Sequence, residues 1–154
     1  MYKINRKIEY ALMALKQMSQ KRPGELTTAK EVCDQLRTPF DATARVMQIM
    51  ASKGLLRSEH GAFGGYQITK DLSKVSLFDF VEMIEGRQAL VKCIHRNDGD
   101  MCEIQTTCNI GQPLQNLNSK LNEFYSGISL KELLIEQPVR ARAPKKTEEL
   151  HGGK

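Results

Sequence analysis

The chain is 154 residues long, 40% hydrophobic and free of tryptophan, with 23 Lys and Arg against 18 Asp and Glu for a net charge of +5. That length suits one domain with an appendage and excludes a large multi-domain enzyme, while four cysteines are too few for a disulfide-stapled mini-protein. No stretch approaches the roughly 18 apolar residues of a membrane span, and Met1–Tyr10, charged at Lys3, Arg6, Lys7 and Glu9, lacks the apolar run of a secretory signal, so a cytoplasmic protein is expected.

From Asn5 to Gln20 the apolar residues Ile8, Ala11, Leu12, Leu15 and Met18 recur at steps of three and four, which predicts an amphipathic helix. Pro23-Gly24 ends it. Thr28 with Glu31 has the form of a capping box and opens a short helix with Val32 and Leu36 inward; Cys33 on it reads as a buried core residue. Thr38-Pro39-Phe40-Asp41 is a second start signal, with Thr as cap, Pro at the first helical position and an acid in the first turn. The helix that follows runs to Lys53, with Phe40, Val46, Met47 and Met50 as its apolar stripe and Thr43 on the same face.

Leu55–Ser58 and Tyr66–Thr69 are strand candidates, and the three glycines of the seven-residue stretch Glu59–Gly65 make a β-hairpin the natural connection. Ser76 and Asp79 cap another helix, with Leu77, Phe80, Val81 and Ile84 inward and Gly86 at its end. Residues 87–109 show no clean period and hold three of the cysteines. Ile110, Leu114, Leu117, Leu121 and Phe124 then step by four, three, four and three, an a/d-like seam on a helix of about four turns. Such a stripe packs either on its own domain or against a second subunit, and the short remaining chain favours a dimer seam. Gly127 breaks this helix, Ser129 with Glu132 starts a short last one bearing Leu130, Leu133 and Leu134, and residues 138–154 read as a disordered basic tail.

The charge is uneven along this plan. Residues 1–70 carry a net +6, residues 71–137 a net −4, and the tail a net +3. A small basic half points to a polyanion, most often nucleic acid. Helix, short helix, turn, helix and glycine-rich hairpin is the order of a winged helix-turn-helix. The fold class expected is therefore mainly α with a small β-hairpin, a winged helix-turn-helix domain plus a long dimerisation helix. On the 39–53 helix the face opposite the apolar stripe presents Asp41, Arg45, Gln48 and Ser52. Arg45 has the fork for a bidentate pair with guanine and Gln48 the amide for adenine or a phosphate. Asp41 serves either as a cap or as an acceptor from cytosine. His60 at the hairpin tip has the reach for a minor groove. Thr38, Pro39, Asp41, Ala42, Arg45, Gln48 and His60 are the candidate DNA contacts.

Cys93, Cys102 and Cys108 follow a C-x8-C-x5-C pattern. Thiolates suit zinc, copper(I) and iron–sulfur clusters. Structural zinc usually pairs its cysteines two to four residues apart, so gaps of eight and five fit a larger multi-atom cluster better. Three cysteines leave a position for a further ligand, for which His95 and Glu103 are local candidates and Glu9 a remote one. A disulfide switch also fits clustered cysteines.

Together, Glu9-Tyr10-Ala11-Leu12, Lys53-Gly54-Leu55-Leu56, Gly64-Gly65-Tyr66 and the late cysteines resemble the bacterial winged-helix iron–sulfur regulators, the family of IscR, NsrR and RirA. Cys102-Glu103-Ile104-Gln105-Thr106-Thr107-Cys108 followed by the Leu114–Phe124 helix is especially similar, and the resemblance runs from residue 1 to about 137. It implies a homodimer with crossing long helices and a cluster on the three cysteines of each connecting loop. Some members complete the cluster with a histidine after the last cysteine, others with an acidic residue in the partner's first helix. Here Asn109, Ile110 and Gly111 follow Cys108 and Glu9 holds the acidic position, so the resemblance assigns Glu9 of the partner subunit.

The expected organisation is 1–86 as the DNA-binding domain, 87–109 as the cluster loop, 110–137 as the dimerisation helix with a short last helix, and 138–154 as the tail. The expected function is a dimeric, redox-, iron- or nitric-oxide-sensing transcription regulator (a repressor or an activator) whose affinity for a palindromic operator is switched by a [4Fe–4S] or [2Fe–2S] cluster. The alternatives are a regulator with a zinc site or thiol–disulfide switch, and an iron–sulfur carrier or redox protein. No nucleotide loop and no nucleophile–base pair suggests an enzyme.

Overall fold

The computed structural model describes residues 3–91 and 102–135, in which six α-helices, one 3₁₀ turn and one β-hairpin follow each other along the chain. The expected mainly helical winged helix-turn-helix with a small hairpin is the architecture observed. Asn5 accepts a hydrogen bond from the Ile8 amide and so satisfies one free N–H in the first turn of α1 (Arg6–Ser19). Thr28 does the same for Glu31 at the start of α2 (Ala29–Leu36), which ends on Arg37 in the left-handed region at φ +55°. Turns between two such helices often place glycine there; here an exposed arginine makes the turn into α3 (Phe40–Ser52).

α1 buries Ile8, Ala11, Ala14, Leu15 and Met18, and its most extensive partner is α3, which buries Val46, Met47 and Met50. Two alanines at the centre of the α1 stripe let the helices approach closely. Val32 of α2 completes this side of the core. Three details depart from the sequence expectation. α3 begins one residue late, because Pro39 stays extended (ψ 132°) and serves as the N-cap without a side-chain bond. Thr38 is thus no cap; its hydroxyl instead accepts from Thr43 at 2.8 Å, which satisfies that buried threonine. Phe40 is 55% exposed although its spacing puts it on the stripe, since the first turn of α3 projects past the helices it packs on. Cys33 is half-buried on α2 and not a core residue.

Gly54 turns the chain from α3 into β1 (Leu56–Glu59), which pairs antiparallel with β2 (Gly65–Ile68) in the register Leu56↔Ile68 to Glu59↔Gly65. A bridge invisible in the sequence pins this hairpin to the body. Thr27 and Tyr66 exchange backbone hydrogen bonds of 2.9 and 2.8 Å. Gly65 permits that approach, because a Cβ there would stand 3.0 Å from the Thr27 carbonyl oxygen.

After the 3₁₀ turn Leu72–Lys74, α4 (Leu77–Glu85) starts in a complete capping box: Ser76 accepts from the Asp79 amide at 3.0 Å and the Asp79 carboxylate reaches back to Ser76. Ser76→Ala is expected to destabilise the fold by about 1 kcal/mol, read as a lower denaturant midpoint at unchanged slope. At the 3₁₀ turn, hydrogen bonds from the Ser73 hydroxyl and amide hold the Asp71 carboxyl below its ordinary pKa.

α5 (Gly111–Ser126) packs on α4, and the chain then folds back. Leu77 donates to the Ile128 carbonyl at 2.7 Å and Leu130 to Val75 at 2.9 Å, which seats Leu130, the first residue of α6 (Leu130–Leu134), fully inside the N-terminal core. The stripe of α5 lies largely uncovered in the single chain: Ile110, Leu117 and Phe124 are exposed and Leu114 and Leu121 half-buried. The residue α5 does bury is Asn118, whose side-chain oxygen accepts from the Leu90 amide at 3.1 Å. No helix among the described residues is long and apolar enough to cross a membrane. The 138–154 tail, Cys93 and His95 lie outside the described residues.

Candidate nucleic-acid interface and cysteine loop

Because α3 commits Thr43, Val46, Met47 and Met50 to the core, helical geometry turns Asp41, Arg45, Gln48 and Ser52 outward, and all four are exposed. Among the described residues no side-chain hydrogen bond or ion pair engages Asp41, Arg45 or Gln48. Arg45 and Gln48 are therefore free to spend their donors on base edges, the guanidinium on guanine and the amide on adenine. Pro39 is exposed at the helix start, and Thr38 and Ala42 are half-buried beside it. Thr38, whose oxygen accepts from Thr43, keeps its own O–H for a phosphate or base.

In the hairpin His60 is exposed at the tip, as its position in the sequence implies. The two charges nearby on β1 neutralise each other, Arg57 pairing with Glu59 at 2.9 Å. Sequence periodicity gave no signal for Phe63, which is 94% exposed at the same tip; a lone aromatic between glycines belongs to no helical or strand stripe.

The cysteine loop comes into view at its second half. Cys102 is exposed and Cys108 half-buried, both with free thiols. Successive turns join them, the Gln105 amide donating to the Cys102 carbonyl at 3.0 Å and Thr107 to Ile104 at 3.1 Å. Cys108 lies against the start of α5, where a Cβ on Gly111 would come within 3.5 Å of its sulfur. Glu103 is exposed between the two thiols. Glu9 is on the outer side of α1, partly exposed, and forms an ion pair with Arg6 at 2.7 Å. Among the described residues, no three His, Cys, Asp or Glu side chains of one chain come together as a metal site.

The model of the Rrf2 family, described as an iron-dependent transcriptional regulator, matches residues 4–136. The chain belongs to the Rrf2 family. This Rrf2 protein is 22% identical over 142 residues to the HTH-type transcriptional regulator NsrR of Shouchella clausii, covering 92% of this chain and 95% of that one. It is 24% identical over 140 residues to the HTH-type transcriptional regulator IscR of Vibrio vulnificus, covering 89% and 80%. Its fold is that of CymR, the global cysteine regulator of B. subtilis, with a TM-score of 0.68 at 18% identity over 90% of this chain and all of that one. The Rrf2 protein is thus a DNA-binding transcriptional regulator and not an enzyme, and its winged helix-turn-helix supplies the means of holding DNA.

Proposed function

We propose that this Rrf2 protein is a cytoplasmic homodimer that reads a palindromic operator with paired α3 helices, and that an iron–sulfur cluster on Cys93, Cys102 and Cys108, completed by Glu9 of the partner subunit, switches its affinity for that operator. The observation that carries the reading is the turn from Cys102 to Cys108, free thiols at both ends, running straight into a helix whose apolar residues Ile110, Leu117 and Phe124 are uncovered. Soft thiolates with one carboxylate suit an iron–sulfur cluster of either the [4Fe–4S] or the [2Fe–2S] type. The family description as iron-dependent adds to this.

In this reading residues 1–86 hold the DNA, 87–109 carry the cluster, 110–137 join the subunits, and 138–154 form a basic tail. When bound, the cluster supplies iron sites whose oxidation, nitrosylation or loss is the signal. Cys108 places its sulfur beside Gly111 at the start of α5, where an added Cβ would come within 3.5 Å of it. Glu9 leaves its exposed pair with Arg6 at small cost, since surface ion pairs contribute about 0–1 kcal/mol. α1 packs on α3, so holding Glu9 against the partner's loop sets where one recognition helix stands relative to the other. Dimers bind half-sites at a fixed separation, and a small rotation of one α3 then lowers affinity for the pair.

Two measurements test this. Protein purified without oxygen from iron-replete cells is expected to be coloured and to contain iron and acid-labile sulfide. Zinc without sulfide, or a metal-free protein controlled by disulfide formation, selects the other cysteine chemistry; a cluster protein that enriches no DNA sequence is the carrier instead. The dimer is tested separately: the double substitution Leu117→Asp and Phe124→Asp, both at exposed positions, is expected to lower the sedimenting mass from twice 17.4 kDa to 17.4 kDa with an unchanged helical spectrum. A variant that stays dimeric rules out α5 as the seam.

A further inference from the structure

The wing tip is unusual in what it offers to DNA. Between Arg57 and Lys70 the chain has no Lys or Arg, and the acidic Glu59 stands at the end of β1. Arg57 stands back on β1, where it pairs with Glu59 at 2.9 Å, so the tip itself carries no Lys or Arg. Beside the exposed His60, the tip projects Ala62 and Phe63, the latter 94% exposed, the most open of the large apolar side chains among the described residues. Exposing a whole phenyl ring to water forgoes roughly 1.5–3 kcal/mol of burial.

The tip is also built to keep that ring out. The Gly64 amide donates to the Gly61 carbonyl at 3.1 Å, closing a tight turn around Phe63. A Cβ on Gly64 would lie 2.5 Å from the Glu59 carbonyl oxygen, so only glycine lets the loop fold on itself this closely. The hairpin is in turn anchored by the Thr27–Tyr66 bridge and leaves α3 directly through Gly54. Phe63 is therefore an exposed apolar point at the tight turn of a hairpin that follows α3 directly and is bonded to the body at Thr27.

We propose that Phe63 is a wedge: it enters the minor groove beside the half-site, partly unstacks one base step and kinks the duplex there. Phe is among the apolar side chains that proteins insert between base steps, with kinks of about 20–90°. The steps that open at least cost are pyrimidine–purine steps, TA and CA/TG. Phe63 thus selects sequence at a position that no donor or acceptor of the protein touches, while α3 reads the core of the half-site. The inference rests on the reading of α3 and the wing as one DNA face.

The test uses the full-length protein with and without Phe63→Ala, Phe63→Leu and Arg45→Ala, and a random-sequence duplex library as probe. From this library each protein selects its sites. Bend angles are then measured by fluorescence transfer across the selected duplex, and unstacking by 2-aminopurine placed at the flanking step. Phe63→Ala is expected to select the same core as the wild type but lose the flanking pyrimidine–purine step. It should also bend DNA less by at least about 20°, leave 2-aminopurine quenched, and bind roughly tenfold more weakly at an unchanged salt slope, because no charge is removed. Phe63→Leu, which keeps a wedge, is expected to retain flank and bend. A Phe63→Ala protein that matches the wild type in flank, bend and affinity overturns the proposal, including when its only effect is on self-association or on binding another protein. A wild type that enriches no sequence overturns both this inference and the DNA face beneath it. An Arg45→Ala protein that selects the wild-type core overturns the α3 reading alone.

Discussion

Cys108→Ala is expected to yield a folded dimer that has lost most of its iron and sulfide and, with them, the difference in DNA affinity between anaerobic and oxidised protein. The effect is large because, in the proposed switch, the thiol removed is a cluster ligand at the start of the helix that joins the subunits. The Cys108 sulfur lies beside Gly111 at the start of α5, and no neighbour along the chain supplies a second thiol: Asn109 and Ile110 follow it, and Glu103 is an exposed carboxylate. A carboxylate is a harder ligand than a thiolate and holds cluster iron less well. Cys33→Ala is the matched control. Cys33 is half-buried on α2, far along the chain from the loop, and its loss is expected to leave iron and sulfide unchanged. Iron and sulfide retained by Cys108→Ala at the wild-type level would remove this cysteine from the ligand set.

Arg45→Ala is the second substitution with a large expected effect, and it acts on the other end of the molecule. A good bidentate pair with a base discriminates by about 1–3 kcal/mol, which is roughly 5- to 150-fold in affinity for each half-site. Arg45 is exposed in the middle of α3, with no ion pair to break among the described residues and no core contact to lose. The cost should therefore fall on specific binding, with stability within about 0.5 kcal/mol of the wild type, as for other surface changes. At a fixed, stated salt concentration the variant is expected to bind the selected operator and random duplex with nearly equal affinity. Loss of binding to both by the same factor would make Arg45 a phosphate contact instead.

The two faces differ in how clearly the sequence announced them. α3 was legible because one pattern fixes both sides: once Thr43, Val46, Met47 and Met50 are inward, Arg45 and Gln48 have nowhere to point but out. The Ser76–Asp79 capping box and the glycine-rich hairpin were legible for the same reason, since each is a local rule carried by adjacent residues, whereas at Thr28 only the threonine half of the expected box forms and the Glu31 carboxylate pairs with Lys21 instead. What escaped was set by contacts distant in sequence. The Thr27–Tyr66 bridge joins residues nearly forty positions apart, and nothing local to Thr27 marks it as a strand partner. Asn118 is the buried residue of α5 because the chain returns to present the Leu90 amide to it, so the periodicity of leucines gave the helix but not its inward side. Leu130 is another case: its short helix reads as an appendage to α5, yet backbone bonds to Val75 and from Leu77 draw this segment into the core of the first unit. Phe40 shows the converse, a residue with correct spacing and no partner to cover it.

That return of the chain also bears on how a signal in the loop reaches the DNA face. The middle of α5 is tied to the segment after α4, where Asn118 accepts from the Leu90 amide, and the chain that follows α5 is tied to the N-terminal unit through Ile128 and Leu130. In the proposed switch, these bonds are the route by which a change at the cysteines reaches the body that includes α1 and α3. A full switch between nearly all-bound and nearly all-free states needs about 10⁴-fold, or 5.5 kcal/mol, of differential affinity. Two half-sites whose separation is misfitted by a few ångströms offer a source of that size, since losing one Arg45-type contact per half-site already reaches several kcal/mol.

The central claim is that the state of the cysteine loop sets DNA affinity, and the most direct test is to measure that affinity on one preparation in two states. Anaerobic cluster-loaded protein and the same sample after cluster removal and thiol reduction are titrated onto the selected palindromic duplex at one salt concentration, with a scrambled duplex alongside. The expected result is a change of at least tenfold on the palindrome and little change on the scrambled duplex, abolished by Glu9→Ala as well as by Cys108→Ala. Equal affinity of the two states for the palindrome, in a preparation whose iron and sulfide show the cluster to be present and then absent, would contradict it.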